Sequence, residues 1–252
     1  MDPSLSIVIP AFNEKQRLPS VLESMKEYIE LNRLDYRVIV VDDGSSDGTD
    51  EIVSKISDSW PLLSIVRHAT NRGKGAAVRT GVFAADGQLI LFCDADGATP
   101  IEQEAKLRDA LKTSDIAVGS RRVAESGKVN RTWFRALAGF VYVQLVRKLL
   151  SISVKDTQCG FKMFRRSVAR ALFKDLQDER FSFDVEILAE AEMRGYSISE
   201  VGVDWNEKDG GKTKVLIHGP QMLSSILKTR RRINANKHEL QRQQRMVQDY
   251  AE

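Results

Sequence analysis

A short apolar run that ends in two carboxylates constrains this chain more than any other feature of its sequence. Residues 89–93 read Leu-Ile-Leu-Phe-Cys, and Asp94-Ala95-Asp96-Gly97-Ala98-Thr99-Pro100 follows at once. Such a run, bounded by turn formers, is typical of a strand buried on both faces, as in a parallel sheet covered by helices. The sequence therefore predicts an open α/β sheet with Asp94 and Asp96 at the carboxyl end of one strand, where such sheets bind ligands.

Strand-like and helix-like segments alternate through the first half of the chain. Apolar runs at residues 6–12, 38–41, 62–66, 89–93 and 116–118 are separated by segments with helical periodicity. This alternation predicts parallel pairing and a doubly wound sheet, in which Pro10 is expected to end the first strand. The second half is less regular, with predicted helices at 133–150, 184–194 and 215–245 and predicted strands at 159–164 and 197–203.

Composition and motif content exclude several classes of protein. With 252 residues, 42% apolar and 29% charged, the chain is long enough for one globular domain plus a small extension. Its three histidines lie beside no Ser or Cys nucleophile, and its two cysteines lack metal-ligand spacing, which argues against a hydrolase triad or a zinc site. The G-x-G-x-x-G and Walker A patterns are also absent, which argues against a dinucleotide oxidoreductase and an ATPase.

Charge and hydropathy indicate the expected cellular location of the protein. The start shows no basic and apolar leader, and the longest apolar run, 136–146, is too short to span a bilayer. We therefore expect a cytoplasmic protein, with peripheral contact at the cytosolic membrane face as an extension of that expectation. From Lys228 onward seven basic residues face three acidic ones, a charge of +4 within a net +3. Such a run is usually a solvated helix face, with nucleic acid or anionic lipid as the other candidate partners.

Acidic residues recur where the predicted strands end. The loops carry Asn13 and Glu14, then Asp42 and Asp43, then Lys74, then Asp94 and Asp96. Acids that converge on one sheet edge repel each other, and a metal ion with a phosphorylated ligand relieves that repulsion. Magnesium or manganese bound by one or two carboxylates keeps its other positions for water and phosphate, so a nucleotide diphosphate fits best. The alternative is that Asp94 and Asp96 only cap the helix after Pro100.

Eight segments of the chain carry a resemblance to a known family. Ile7 to Glu14, Val41 to Thr49, Asn71 to Ala76 and Asp94 to Asp96 resemble the glycosyltransferases of family 2, which have the GT-A fold. Gly119 to Arg121, Arg131 to Arg135, Asp156 to Lys162 and Phe183 to Glu186 are similar to the dolichyl/polyprenyl-phosphate β-glucosyltransferase branch, with the dolichyl-phosphate mannosyltransferases as near relatives. The similarity reaches about Lys228 and implies a GT-A domain over 1–230, with a nucleotide-binding half (1–120) and an acceptor half (121–230). Residues 231–252 are left as a basic helical tail.

The resemblance also implies residue roles. The nucleotide-sugar donor would be bound by Pro10, Phe12, Glu14, Val41, Asp43, Lys74, Asp94, Ala95 and Asp96. The catalytic set would be Asp94, Asp96, Arg121, Arg135 and Lys212, and the metal, Mg²⁺ or Mn²⁺, would lie on Asp94 and Asp96. Ala98 stands where a Gln of the mannosyl branch can complete the metal shell, and Asn206 where an Arg would hold phosphate. Both departures favour glucose and leave two protein ligands for the metal.

The expected reaction is inverting transfer of a sugar, glucose favoured, from a UDP-sugar to a polyprenyl or dolichyl phosphate. A phosphomonoester has a second pKa of about 6 and is largely dianionic at pH 7, so it needs no general base. The alternatives are a GDP-mannose-dependent mannosyltransferase, a sugar nucleotidyltransferase, and a regulatory nucleic-acid-binding protein that uses the basic tail. The last leaves the carboxylate-bearing loops unexplained.

Each assignment has a structural alternative. Asp43 and Asp47 fit turn and cap positions, and Arg121 and Lys212 fit ordinary surface positions. The pair Asp184 and Glu186 is expected to form structural ion pairs rather than a metal site. The apolar helix predicted at 133–150 suits either the core or a membrane interface that presents a polyprenyl chain.

Overall fold

The fold is a seven-stranded sheet with helices packed on both faces. A computed structural model describes residues 3–123, 144, 146–180, 182–206 and 224–235. The strands are β1 (Leu5–Ala11), β2 (Tyr36–Asp42), β3 (Leu63–Arg67), β4 (Leu89–Cys93), β5 (Ile116–Ser120), β6 (Phe161–Arg165) and β7 (Ile198–Gly202). The helices are α1 (Leu18–Leu31), α2 (Thr49–Ser59), α3 (Lys74–Ala84), α4 (Glu104–Ala110), α5 (Arg166–Lys174) and α6 (Phe183–Met193), with a 3₁₀ turn at Ile101–Gln103 and further helical residues at 146–150 and 224–235.

The strand order is β3-β2-β1-β4-β6-β5-β7. β1 pairs with β2 and β4 in parallel, and the pairs β2–β3 and β5–β7 are also parallel. The predicted class, a doubly wound and mostly parallel α/β sheet, is confirmed. Because β1 to β4 all run the same way, the loops that follow them leave the same edge of the sheet.

β6 is the exception to parallel pairing. It lies between β4 and β5 and runs antiparallel to both, with Lys162 opposite Phe92 of β4 and Val118 of β5. The sequence predicted a strand at 159–164, which begins two residues before β6. It did not predict the direction of that strand. Its insertion brings the Cys159–Gly160 turn to the edge where β4 ends, since Asp94 N–H donates to the Gly160 carbonyl at 3.1 Å.

The expectation that Pro10 ends the first strand is wrong. β1 continues to Ala11, with Pro10 opposite Val41 of β2. Pairing with β4 stops at Val8, so a residue without an N–H breaks no ladder bond on that side. β1 therefore carries its chain to the sheet edge before the first loop begins.

The core has two parts, one on each face of the sheet. Alternate residues of β1 divide between them: Ile7 and Ile9 pack with α1, and Val8 packs with α3. Val146 and Leu150 belong to the cluster that contains Val8 and α3. These two residues at the described end of the helix predicted at 133–150 therefore lie in the core. The rest of that predicted helix, residues 133–143 and 145, lies outside the described residues.

The described part of the C-terminal region packs against the domain. Ile226 and Ile233 are buried in the same cluster as α6, and Arg232 bonds Glu186 of that helix at 2.7 Å. The helical residues 224–235 thus run across the border expected at 230. Among the helices of the described ranges, none has the length and hydrophobicity that crossing a membrane requires.

Candidate active site

The loop after β1 is held by the loop after β2. The backbone N–H groups of Asn13 and Glu14 donate to Ser45 Oγ (2.8 Å) and Thr49 Oγ1 (2.9 Å). Arg17 grips the buried Glu14 carboxylate with two bonds of 2.7 Å each. Those bonds raise the pKa of Arg17, and the charge of Asp96 adds to the effect. Phe12, between these groups and β1, is 37% exposed.

Asp43 lies at the end of β2 and fixes the next loop. Its carboxylate accepts the backbone N–H groups of Arg72 (2.9 Å) and Gly73 (2.7 Å) and lies 2.7 Å from His68 Nδ1. His68 Nε2 lies 2.9 Å from Thr80 Oγ1 of α3. Asp43 thus joins the Asn71–Gly73 loop, which precedes Lys74, to β2. The residue is buried, and its turn-stabilising role exists whether or not a ligand is bound.

Two other predicted donor-site residues have buried side chains. Val41 packs in the core beside α3, and Ala95 packs in the core on the opposite face. A ligand contact from either would come from the backbone. Asp47, which the sequence left as a turn or cap residue, accepts the Thr49 hydroxyl at 2.6 Å and stabilises the start of α2.

Asp94 and Asp96 lie together directly after β4. Burial raises the pKa of Asp96, and the charge of Asp94 raises it further, so the two carboxylates repel. Lys74, the first residue of α3, reaches Asp94 Oδ1 with its ammonium at 2.5 Å. Ala98 N–H donates to Asp96 Oδ1 at 3.0 Å and orients that side chain.

These two carboxylates border a small cleft. It is lined by Cys93, Asp94, Asp96, Ala98, Thr99, Arg121, Gly160 and Trp205. The sequence analysis did not single out Gly160 or Trp205 as site residues. Both reach the cleft through tertiary structure, Gly160 from the turn before β6 and Trp205 from the segment after β7.

Arg121 enters the cleft from the end of β5. Asp156 accepts its Nε at 2.7 Å and its Nη2 at 2.8 Å, a bidentate pair that sets the plane of the guanidinium. Trp205 flanks the same group, with its ring centre 5.3 Å from Arg121 Cζ. Burial opposes the charge of Arg121, but the bonds to Asp156 outweigh it and raise the pKa of Arg121.

The segment after β7 is tied to the loop that carries the two aspartates. Asn206 N–H donates to the Ala98 carbonyl at 2.8 Å, and Val203 N–H donates to Ser120 at 3.1 Å. Ala98 and Asn206, the two departures from the mannosyl pattern, are therefore hydrogen-bonded neighbours. Arg135 and Lys212, both expected in the site, lie outside the described residues.

The donor set suits a hard divalent cation. No group of three or more His, Cys, Asp and Glu side chains converges within the described ranges, and the pair expected to hold the ion is Asp94 with Asp96. Carboxylate oxygens in a pair, with room beside them for water and phosphate oxygens, are what Mg²⁺ and Mn²⁺ bind. Two mutually repelling carboxylates that face one cleft fit such an ion.

Of the two cysteines, Cys93 lines the cleft and Cys159 does not. Cys93 and Cys159 are both buried free thiols. Burial raises the pKa of Cys159 to about 12, and it also raises the pKa of Cys93. Both therefore stay protonated near neutral pH and serve as small packed residues.

Comparison with known proteins agrees with the geometry. The model of the family described as glycosyl transferase family 2 matches residues 6–173. A dolichyl-phosphate beta-glucosyltransferase of Drosophila melanogaster is 41% identical over 223 residues, which cover 82% of this chain and 68% of the relative. The corresponding protein of Homo sapiens is 38% identical over 226 residues, covering 82% and 69%.

Solved structures share the fold at low sequence identity. Glucosyl-3-phosphoglycerate synthase from Mycobacterium tuberculosis, in complex with Mn²⁺, UDP and phosphoglyceric acid, superposes with a TM-score of 0.69 at 19% identity, covering 90% of this chain and 78% of that one. A mannosyltransferase from Pyrobaculum calidifontis with GDP-Man and Mn²⁺ gives 0.62 at 20% identity, covering 92% and 65%.

Proposed function

Because the chain belongs to glycosyl transferase family 2, we propose that it moves glucose from UDP-glucose to a polyprenyl or dolichyl phosphate, with inversion at the anomeric carbon. The observation that carries the proposal is the meeting of Asp94, Asp96 and Arg121 in one cleft. Carboxylates for a cation and an arginine for a phosphate are the groups that a sugar diphosphate and a phosphate acceptor require. The names of the similar curated proteins support glucose and dolichyl phosphate.

The donor would lie across the loops that follow β1, β2 and β4. Phe12 has a partly exposed ring, and Pro10, Glu14, Asp43 and the backbone of Val41 would line the place of the base and ribose. Mg²⁺ or Mn²⁺ on Asp94 and Asp96 would supply positive charge to the leaving diphosphate. Lys74, and Lys212 by resemblance, would add further positive charge there.

The acceptor phosphate would meet Arg121, with Arg135 as a second arginine by resemblance. One of its oxygens attacks the anomeric carbon, the new O–C bond forms, and the bond from that carbon to the diphosphate oxygen breaks, so that UDP leaves. The attacking oxygen carries no proton at neutral pH, so no general base is needed. The protein contributes position and charge neutralisation, and Asp156 holds Arg121 in the required orientation.

The basic C-terminal region gives less support to a nucleic-acid function. Arg232 is engaged with Glu186 and Glu190, and Thr229 and Ile233 are buried against the domain. A peripheral membrane contact, which a long polyprenyl acceptor would favour, remains part of the proposal and places the protein at a membrane surface.

The test is a transfer assay with the full chain. UDP- and GDP-sugars are incubated with short polyprenyl phosphates and Mg²⁺ or Mn²⁺, and the butanol-extractable product is measured. We expect product from UDP-glucose, and we expect Asp96→Asn to lose about 100-fold or more of kcat/KM, since a bound metal ion supplies several kcal/mol.

The matched control is Asp109→Asn, which makes the same chemical change at an exposed residue of α4 paired with Lys112. It should retain wild-type turnover, and circular dichroism should show that both variants fold. Normal turnover by Asp96→Asn, or product from GDP-mannose alone, would overturn the proposal.

A further inference from the structure

Two ion pairs lie near each other, one at the cleft and one in the core. Asp94 at the cleft pairs with Lys74 at 2.5 Å, and Asp184 in the first turn of α6 pairs with Lys162 of β6 at 2.5 Å. The Lys74 ammonium lies 5.9 Å from the ring centre of Phe183, the residue before Asp184. The first turn of α6, which carries Asp184, therefore lies beside Lys74.

The inner pair is almost entirely buried. The side chains of Lys162 and Asp184 are 1% and 6% exposed. Lys162 Nζ also donates to the Cys159 carbonyl at 2.6 Å and lies 5.1 Å from the Phe92 ring centre. A buried ion pair carries a desolvation penalty that its attraction often fails to repay, so it is weak evidence for a purely stabilising role. Asp184 follows Phe183, which lies near Lys74, and this position points to a role of the pair at the cleft.

Lys74 competes with a metal ion for Asp94. Its ammonium bonds Asp94 Oδ1 and so competes with a divalent cation for the Asp94 carboxylate. Burial lowers the pKa of the Lys74 ammonium, but the charges of Asp94 and Asp184 outweigh that effect and raise it on balance. The Lys74 side chain is only 24% exposed, so a neighbouring anion lowers the cost of displacing its ammonium from Asp94. Asp184, which follows Phe183 in the first turn of α6, is such an anion.

We propose that Lys74 is the resident counter-ion of Asp94 in the metal-free protein, and that Asp184, held by Lys162, keeps it at the site when a divalent cation displaces it. Asp184 and Lys162 are then positioning residues for the donor site, and Lys74 stays beside the leaving diphosphate. The inference rests on the metal site of the proposed function. It requires that Asp184 acts on metal affinity through Lys74.

The test is a double-mutant cycle on Mn²⁺ affinity without nucleotide, measured by calorimetry or by the electron paramagnetic resonance of free Mn²⁺. Lys74→Met removes the competing cation and should bind Mn²⁺ about 5- to 10-fold more tightly than wild type. Asp184→Asn removes the second anion and should bind it about 5-fold more weakly. In the Lys74→Met background, Asp184→Asn should change the affinity by less than about 2-fold, since residues that act together are not additive.

Additive effects would overturn the inference, because they would show that Asp184 acts on the metal by its charge alone. An unchanged affinity in Lys74→Met would overturn it as well. UDP affinity in the presence of Mn²⁺ should fall in Lys74→Met and stay near wild type in Lys74→Arg, which keeps the charge.

A matched control lies on the same helix. Glu186 is buried like Asp184, but it accepts the backbone N–H groups of Gln177 and Asp178 and pairs with Arg232 instead of Lys162. Glu186→Gln makes the same change of charge and should leave Mn²⁺ affinity unaltered. If Asp184→Asn fails to fold, the double variant Asp184→Leu with Lys162→Met replaces the pair by apolar groups and enters the cycle in its place.

The outcomes separate the two proposals. A wild-type protein without affinity for Mn²⁺, Mg²⁺ or UDP contradicts the proposed function itself. A wild-type protein that binds Mn²⁺ and transfers glucose, but whose cycle is additive, contradicts only the role of Asp184.

Discussion

At the scale of single residues, Gly160 sets how closely the turn before β6 approaches Asp94. A Cβ at position 160 would lie 2.1 Å from Asp94 Oδ2 and 2.3 Å from Asp94 Cγ. The same residue accepts the Asp94 N–H through its carbonyl at 3.1 Å. Any side chain at 160 would therefore push the carboxylate out of the position in which it faces Asp96 and Lys74.

We expect Gly160→Ala to lower kcat/KM about 100-fold, because displacing a site group by about 1 Å can cost that much. Mn²⁺ affinity should fall with it, and calorimetry on the purified variant would measure that. Gly195→Ala is the control, since a Cβ at 195 meets nothing within 4 Å. Its positive φ of 77° will cost some stability, but metal affinity should not change. Wild-type metal affinity in Gly160→Ala would contradict this role for Gly160.

The sequence predicted Asp94 and Asp96 as site residues because both follow a buried strand directly. It could not single out Gly160 or Trp205 in the same way, because neither follows a strand that the pattern assigned to this edge. Gly160 precedes a strand, and Trp205 lies three residues beyond one. Gly160 lies in the segment Asp156 to Lys162, which carries part of the family resemblance, and this was the available signal. Only the folded structure shows that its missing Cβ leaves room for the Asp94 carboxylate.

At the scale of elements, the strand–helix alternation of the first half predicted β1 to β5 within a few residues at their ends. The sequence predicted β6 as a strand but not its direction. The residues of a five-residue strand show which positions are buried, but they do not show which strand it pairs with. Its place between β4 and β5 depends on long-range packing, with Phe92, Phe164 and Phe173 in contact across the sheet and α5. That insertion is what puts Lys162 in the middle of the core.

Asp156 bonds residues of two elements near the cleft. Its carboxylate accepts the backbone N–H and side chain of Arg121 at the end of β5, and its own N–H donates to Glu200 of β7 at 2.8 Å. Burial would raise the pKa of Asp156, but the bonds from Arg121 outweigh burial and lower it. Its contribution to stability is therefore present above the unfolded pKa and lost as pH falls through the folded value.

We expect Asp156→Asn to lower the free energy of unfolding by about 3 kcal/mol at pH 7, since it leaves the Arg121 charge without its partner. Urea titrations from pH 7 to pH 3 would measure this. The gap between wild type and variant should narrow below about pH 4, where the unfolded carboxyl begins to take up its proton. A gap that stays constant down to pH 3 would show that the charge of Asp156 does not stabilise the fold. Asp109→Asn, at an exposed pair, should show no gap.

At the scale of the whole molecule, the candidate site belongs to no single element. The end of β4 and its loop, the end of β5, the turn before β6 and the segment after β7 line the cleft, and the donor is proposed to extend to the loops after β1 and β2 and the start of α3. Hydrogen bonds between residues that are distant in the sequence join these pieces. Examples are the bonds from Asn206 N–H to the Ala98 carbonyl and from Glu14 N–H to Thr49 Oγ1. A ligand that spans them should therefore stabilise the domain against global unfolding rather than one loop.

We expect UDP-glucose and Mn²⁺ together to raise Tm by about 5 to 10 °C at 100 times the Kd, because such binding adds about 2.7 kcal/mol and a domain of this size gains about 2 to 4 °C per kcal/mol. Differential scanning calorimetry of the full chain would measure the shift. Chelating the metal should remove most of it, since Asp94 and Asp96 then repel the diphosphate instead of binding it through a cation. In Asp96→Asn the metal-dependent part should vanish while the melting remains cooperative. A full shift with UDP-glucose in excess chelator would mean that Lys74 and the arginines neutralise the diphosphate without a metal, and that the two aspartates serve another purpose.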